Sequence, residues 1–232
     1  LSKAIQLKNV RKVYRVGDEK IVALNGIDLD IEQGEICCLL GTSGSGKSTM
    51  LNLMAGLEKP TRGSIIIGNV EISRLNERKL AIFRRDNVGF IFQSYNLLPT
   101  LTALENVALP LVFKRVPKKT RNKRAREMLE AVGLGDRLNH KPSQMSGGQQ
   151  QRVGIARALV TRPEIVFADE PTGNLDSKTS REVMELVTGI CRENNQTLII
   201  VTHDLNIAMY ADRIVHILDG AIQKIEYNRA LA

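Results

Sequence analysis

The chain lacks any run of about eighteen apolar residues; its longest candidates, at 165–168 and 197–201, have the length of strands, which excludes a membrane-spanning helix. Cysteine is scarce. Cys37, Cys38 and Cys191 form no C-x-x-C pair, which argues against a disulfide framework or a zinc site and fits a reducing compartment. Cys37 and Cys38 stand in the apolar run 36–40, where thiols serve as small buried hydrophobes. There is no internal repeat, heptad array or low-complexity linker. The opening LSKAIQLKNV is too polar for a secretory signal. With 43% hydrophobic and 25% charged residues among 232, disordered and collagen-like classes are excluded, and the length suits one domain with an insertion.

Excess positive charge is missing everywhere but one segment. The net charge is +8, and residues 114–126 (KRVPKKTRNKRAR) hold eight Lys or Arg and no acid, so the other 25 cations match the 25 Asp and Glu. One basic patch facing phosphates, anionic lipid headgroups or a partner fits this better than a general nucleic-acid coat. A solvated helix face is the plain alternative.

Strand-like and helix-like segments alternate. Residues 27–31 (IDLDI) have period two, and 36–40 (ICCLL) form the continuous apolar run of a strand buried on both faces. A glycine-rich turn follows, then a helical apolar set over 48–55 that stops at Gly56. From about 95 to 154 the pattern turns to helices and loops, with Ala125, Met128, Leu129 and Val132 at i, i+3, i+4 and i+7 before Gly133. Strand-type runs return at 165–168, 198–201 and 214–218. The spacing predicts an α/β fold with a mostly parallel sheet and an inserted helical part.

The sequence Gly41-Thr42-Ser43-Gly44-Ser45-Gly46-Lys47-Ser48-Thr49 matches G-x-x-x-x-G-K-[ST]. In that pattern glycines let backbone N–H groups converge on phosphate oxygens, and the following helix adds its partial positive charge. Lys47 would neutralise β and γ phosphates, and the Ser48 hydroxyl would ligate Mg²⁺. A plain surface loop would not need to follow a buried strand and open a helix. Residues 165–168 (IVFA) end in Asp169-Glu170, two carboxylates at the C-terminal edge of a strand, where ligands bind in open α/β sheets. Because successive side chains of extended backbone diverge, Asp169 is assigned to the metal and Glu170 to the attacking water. Residues 198–201 likewise end in Thr202-His203-Asp204, which makes His203 a candidate γ-phosphate contact, although a strand-end histidine is more often structural.

A second anion site is predicted at Met145-Ser146-Gly147-Gly148-Gln149. Ser146 and Gln149 fit a capping box, but capping does not call for two glycines in a first turn, and each costs about 1 kcal/mol against alanine. Bare backbone there lets an oxyanion approach. Two phosphate sites in one chain suggest a two-fold pair, each copy covering the nucleotide held by the other.

Together these residues resemble the nucleotide-binding ATPase subunit of ABC transporters, as far as about Gly220. GTSGSGKST resembles the Walker A motif, IVFADE the Walker B motif, MSGGQ the signature motif (with Met145 for the usual leucine), His203 the switch histidine and Leu175-Asp176 the D-loop. Gln93 resembles the Q-loop glutamine that reaches Mg²⁺ or the attacking water and reports to the membrane partner, and Tyr14 the aromatic that stacks on adenine. FIFQSYNLLPTLTALENVALPL, SGGQQQRVGIARAL and DEPTGNLDSKTS are similar to the lipoprotein-releasing and macrolide-exporting, LolD/MacB-like, branch, which includes antimicrobial-peptide resistance relatives.

The resemblance implies a P-loop NTPase core with an N-terminal antiparallel β subdomain and an inserted helical subdomain. It implies one ABC ATPase domain over 1–232, with 1–94 and 155–232 as core and 95–154 helical. ATP and Mg²⁺ are the implied cofactors. Glu170, His203 and Lys47 carry the chemistry; Tyr14, residues 43–49, Gln93 and residues 146–149 bind nucleotide; Ser48, Gln93 and Asp169 bind the metal. The implied partners are a second copy, a permease and anionic lipid, at the inner face of the cell membrane, with no nucleic acid. A soluble ABC ATPase acting on nucleic acid or the ribosome is the alternative; a small nucleotide kinase or GTPase would leave MSGGQ unused.

Overall fold

The computed structural model describes residues 2–228. The first half of the chain forms β1 (Lys3–Val16), β2 (Glu19–Glu32), β3 (Ile36–Leu40), α1 (Lys47–Met54), β4 (Arg62–Ile67), β5 (Val70–Glu71), α2 (Glu77–Asn87), β6 (Val88–Phe92) and α3 (Ala103–Phe113). The second half forms α4 (Lys118–Ala131), α5 (Gly147–Leu159), β7 (Ile165–Asp169), α6 (Ser177–Glu193), β8 (Thr197–Thr202), α7 (Leu205–Ala208), β9 (Arg213–Leu218) and β10 (Ala221–Tyr227).

Two sheets result. An antiparallel sheet has the order β2-β1-β4-β5, and a six-stranded sheet runs β10-β9-β3-β8-β7-β6. Strands β9, β3, β8, β7 and β6 are parallel, and β10 closes one edge as an antiparallel hairpin. This is the mostly parallel sheet that the spacing predicted, with the N-terminal antiparallel layer that the family resemblance implied.

The pleat of β3 explains the layering. Ile36, Cys38 and Leu40 point into a core shared with α3, α4, α5, α6 and α7, whereas Cys37 and Leu39 point into a second core against the antiparallel sheet and α1. The same split holds for Val166 and Ala168 against Ile165 and Phe167, and for Leu198 and Ile200 against Ile199 and Val201. A fully buried aliphatic side chain contributes about 1.5–3 kcal/mol, so a strand buried on both faces belongs at the sheet centre. Burial pushes the Cys37 and Cys191 thiols up to about 12, and the Cys38 thiol is also raised, so Cys37 and Cys38 are the buried hydrophobes expected and Cys191 is a third.

The helical part is α3, α4 and the start of α5. Helix α5 runs without interruption through the boundary expected at 154/155. Its buried residues Val153, Ile155, Ala156 and Leu159 belong to the same core as Val166 and Ala168 of β7, so one helix is shared by both parts. The periodicity over 125–132 is realised in α4, where Ala125, Leu129 and Val132 are buried and Met128 packs at the margin.

Candidate active site

A cavity of about 980 Å³ opens at the C-terminal ends of the parallel strands. Its floor is the loop between β3 and α1, and residues after β6, β7 and β8 (Gln93, Glu170 and His203) form further walls. Ile21, Val22 and Ala23 of β2 and the Asp219-Gly220 turn between β9 and β10 complete it.

The loop is built for an anion. Helix α1 starts after Gly46, whose φ of +104° is open to glycine, and no side chain caps its first N–H groups. A Cβ on Gly46 would lie 2.7 Å from the Ala23 carbonyl oxygen. Lys47 is 6% exposed, and its Nζ donates to the Thr42 carbonyl at 2.7 Å, a local partner for an otherwise buried cation. Ser43, Gly44, Gly46, Lys47, Ser48 and Thr49 line the cavity. Ser45 does not; its hydroxyl is buried beneath the loop without a partner, while its carbonyl accepts from Gly220 N at 3.0 Å. A Cβ on Gly220 would lie 2.5 Å from the Ala23 carbonyl oxygen, which ties the 219–220 turn to the back of the loop.

Glu170 departs from the expected geometry. The divergence of the two acids was argued from extended backbone, but β7 ends at Asp169 and Glu170 takes φ +45°, a left-handed conformation that costs about 1–3 kcal/mol. Its N–H donates to the Val201 carbonyl at 2.9 Å, which holds the kink against the end of β8. Both carboxylate oxygens are taken: His203 Nδ1 donates to Oε1 at 2.8 Å and the Thr202 hydroxyl to Oε2 at 3.2 Å. The His203 side chain is 69% exposed towards the cavity mouth. Asp169, the last residue of β7, is half-buried and is not among the cavity-lining residues. Its carboxyl is raised above the usual range by burial, with Glu170 adding to the shift and Lys47 opposing it. The half-buried Asp169 carboxylate, and the Ser48 hydroxyl and Gln93 amide that line the cavity, are hard oxygen donors of the kind Mg²⁺ takes.

Gln93 is linked to the segment after the acids. Its carbonyl accepts from Asn174 Nδ2 at 3.0 Å, and its side chain packs so closely on Gly173 that a Cβ there would lie 2.6 Å from Nε2. Tyr14 is not among the cavity-lining residues. It pairs with Ile21, which is, and its hydroxyl donates to Glu58 Oε2 at 2.7 Å while Lys12 Nζ sits 4.9 Å from the ring centroid. Burial raises the Tyr14 hydroxyl pKa, with Glu58 adding to the shift.

Residues 146–149 lie away from this cavity. The capping box is formed in full: Gln149 N donates to the Ser146 hydroxyl at 3.3 Å and Ser146 N to Gln149 Oε1 at 3.0 Å. The two glycines also have a use within the chain, which the sequence reading did not foresee. A Cβ on Gly148 would lie 2.6 Å from Thr179 Cγ2, and one on Gly147 2.9 Å from the Tyr95 hydroxyl. Thr202, Asn174, Ile21–Ala23 and the Asp219-Gly220 turn were all missed. Only the last carried a local signal, the Asp-Gly dipeptide of a two-residue hairpin.

Residues 24–173 match the ABC transporter family. The chain belongs to that family. It is 50% identical over 226 residues to an ABC transporter ATP-binding protein of Thermotoga maritima, covering 97% of this chain and 96% of the relative. It is 46% identical to the macrolide export ATP-binding/permease protein MacB of Rhodopirellula baltica, covering 97% of this chain but 33% of that longer protein, which agrees with the expected branch. Among solved structures, the dimeric post-hydrolysis state of the ATP-binding cassette MJ0796 bound to ADP and Pi superposes with a TM-score of 0.90 at 48% identity, covering 97% of this chain and 99% of that one. The chain is thus an ABC ATPase.

Proposed function

We propose that this ABC ATPase is the energy-coupling subunit or domain of a transporter, which it drives from the cytoplasmic face of the membrane through ATP-dependent dimerisation. The finer reading is export or extraction of a lipoprotein, macrolide or peptide, supported by the MacB relatives. The carrying observation is a separation. One chain holds a cavity with Lys47, Glu170 and His203 at its walls, while its other anion-type helix start, at 146–149, lies outside that cavity. Each cavity is then completed by residues 146–149 of a second copy, as the dimeric cassette superposition supports. The relatives named above are transporter proteins, which favours this reading over a nucleic-acid or ribosome-acting ATPase.

In this reading Lys47 exchanges the Thr42 carbonyl for β and γ phosphate oxygens, and the N–H groups at the start of α1 hold the same oxygens. The ring face of Tyr14 turned away from Lys12 stacks on adenine. Ser48, Asp169 and Gln93 would hold Mg²⁺, which when bound neutralises charge on the phosphates. Glu170, freed from His203, orients a water and takes its proton as the water oxygen bonds to the γ phosphorus and the β–γ bridging bond breaks, leaving ADP and phosphate. His203 turns to the γ phosphate.

The permease seat is an apolar groove of about 460 Å³ between β6 and α3, lined in part by Phe92, Leu109, Pro110 and Phe113. Phe92 directly precedes Gln93, so a segment seated there is one residue from the cavity. The test is Glu170→Gln. Turnover is expected to fall about 10³-fold with ATP binding retained, and light scattering with ATP should show dimers accumulating. A variant that stays monomeric in ATP and hydrolyses at the parent rate would overturn the assignment.

A further inference from the structure

Helix α4 carries an arrangement of charge that its own stability does not explain. Lys119, Lys123 and Arg126 follow one another at i, i+4 and i+7, which places three exposed cations along one stripe. Like charges at this spacing repel. Lys118 and Lys119 also stand in the first turn, where the helix dipole disfavours cations, and that turn holds no acid. The N-cap is Pro117, which gives no side-chain cap to the free N–H groups. Among the described residues, one ion pair joins this stripe to a carboxylate: Lys123 to Glu127 of the same helix, at 3.8 Å. Three separate effects oppose the arrangement in water, and one surface reverses all of them, a dense layer of anions.

We infer that the stripe of α4 lies against anionic phospholipid headgroups. The choice of a lipid surface rests on the reading of the neighbouring groove as the permease seat. Phe113 lines that groove, is 63% exposed, and precedes Lys119, the first cation of the stripe, by six residues, so a short connection leads from the groove to the stripe. A groove holding the cytoplasmic segment of a membrane protein brings the surface beside it to the headgroup layer, where basic residues next to an exposed aromatic are the usual contact. Nucleic acid fits less well: phosphate tracking uses cations spread along a groove, and outside residues 114–126 this chain has no net charge.

The test uses the full chain and vesicles without any permease, so that it stands apart from the groove reading. Co-sedimentation is measured with phosphatidylglycerol-containing vesicles and with pure phosphatidylcholine vesicles, for the parent and for K119Q/K123Q/R126Q. Binding to the anionic vesicles is expected, weakening with salt, and the triple substitution should lower the partition coefficient about 100-fold, at about fivefold per cation. Its thermal midpoint should stay level or rise, because Gln suits a helix and the repulsion is gone; retained ATPase activity reports a folded chain. Equal binding to both vesicle types, unchanged binding by the triple variant, or no binding by the parent would each overturn the proposal. Duplex DNA bound as tightly through the same three residues would overturn it in favour of nucleic acid. Should Phe113→Ala weaken permease association while vesicle binding fails, the stripe is wrong and the groove stands.

Discussion

Glycine stands at the start of both α1, as its N-cap Gly46, and α5, as Gly147 and Gly148, and both starts were read as anion sites, yet the structure equips them differently. At α1 the cap residue has no side chain, Lys47 is buried at the first position, and the site has walls on several sides. At α5 the cap is already reciprocal between Ser146 and Gln149, no cation follows in the first turn, and the two glycines fit against Thr179 and Tyr95. A helix start that leaves its donors unpaired inside a walled cavity can hold a phosphate alone. One that has spent part of its donors on a cap can only add to a site built elsewhere. The difference is what a shared dimeric site requires, and it is open to attack from either side.

The largest expected effect is at α1. Lys47→Ala should lower kcat/KM for ATP about 10³-fold in steady-state assays, the scale of losing one preorganised charged donor, with little change in unfolding midpoint. A variant with near-parent kcat/KM would mean that α1 is no better equipped than α5.

At α5 the difficulty is that a side chain at position 148 disturbs its own chain before it can reach a second copy. Gly148→Ala should cost about 1–3 kcal/mol in urea unfolding through overpacking on Thr179 Cγ2. Thr179→Ser removes that methyl and keeps the hydroxyl, which donates to Asp176 Oδ2 at 2.6 Å, so the double variant should regain most of the loss. Any deficit in ATP-driven dimerisation that persists in the double variant belongs to the interface. Full recovery of both would leave the glycine with a packing role only.

The smallest effect concerns Asp176, which ties Thr179 to the start of α6. The Thr179 hydroxyl and backbone N–H, then Lys178 N–H, hold the Asp176 carboxyl below the usual range. A depressed folded pKa contributes stability that is complete above the unfolded value of about 3.9 and is lost as pH falls from there through the folded value. Asp176→Asn keeps a good cap, so its unfolding midpoint should match the parent near neutrality and fall less on acidification below about pH 4. Identical acid profiles would remove the Asp176 carboxylate from this network.

Much of this was legible because it is local. The run ICCLL, the pattern ending in GKST, the acids after IVFA and the capping pair at 146 and 149 are fixed by nearest-neighbour chemistry, and each stands where that chemistry puts it. Long strands β1 and β2 were legible only over 27–31, since residues 11–16 of β1 and 19–23 of β2 include no fully buried side chain and the apolar alternation fades there. The direction of Glu170 was inferred from the rule for extended backbone, and the rule failed at a residue held in a left-handed kink by Val201, a partner thirty-one positions away.

By itself the sequence determined the parallel core, the phosphate loop, the paired acids and the family, because each depends on residue types at fixed short spacing along one backbone. Tertiary structure alone decided that Thr202 and His203 hold both oxygens of Glu170, that the Asp219-Gly220 turn backs the phosphate loop, and that Gly148 fits against Thr179. It also decided that the start of α5 lies outside the cavity that the start of α1 lines. These depend on close approaches between segments far apart in the chain, and such distances are set by how the two cores pack on either side of one sheet.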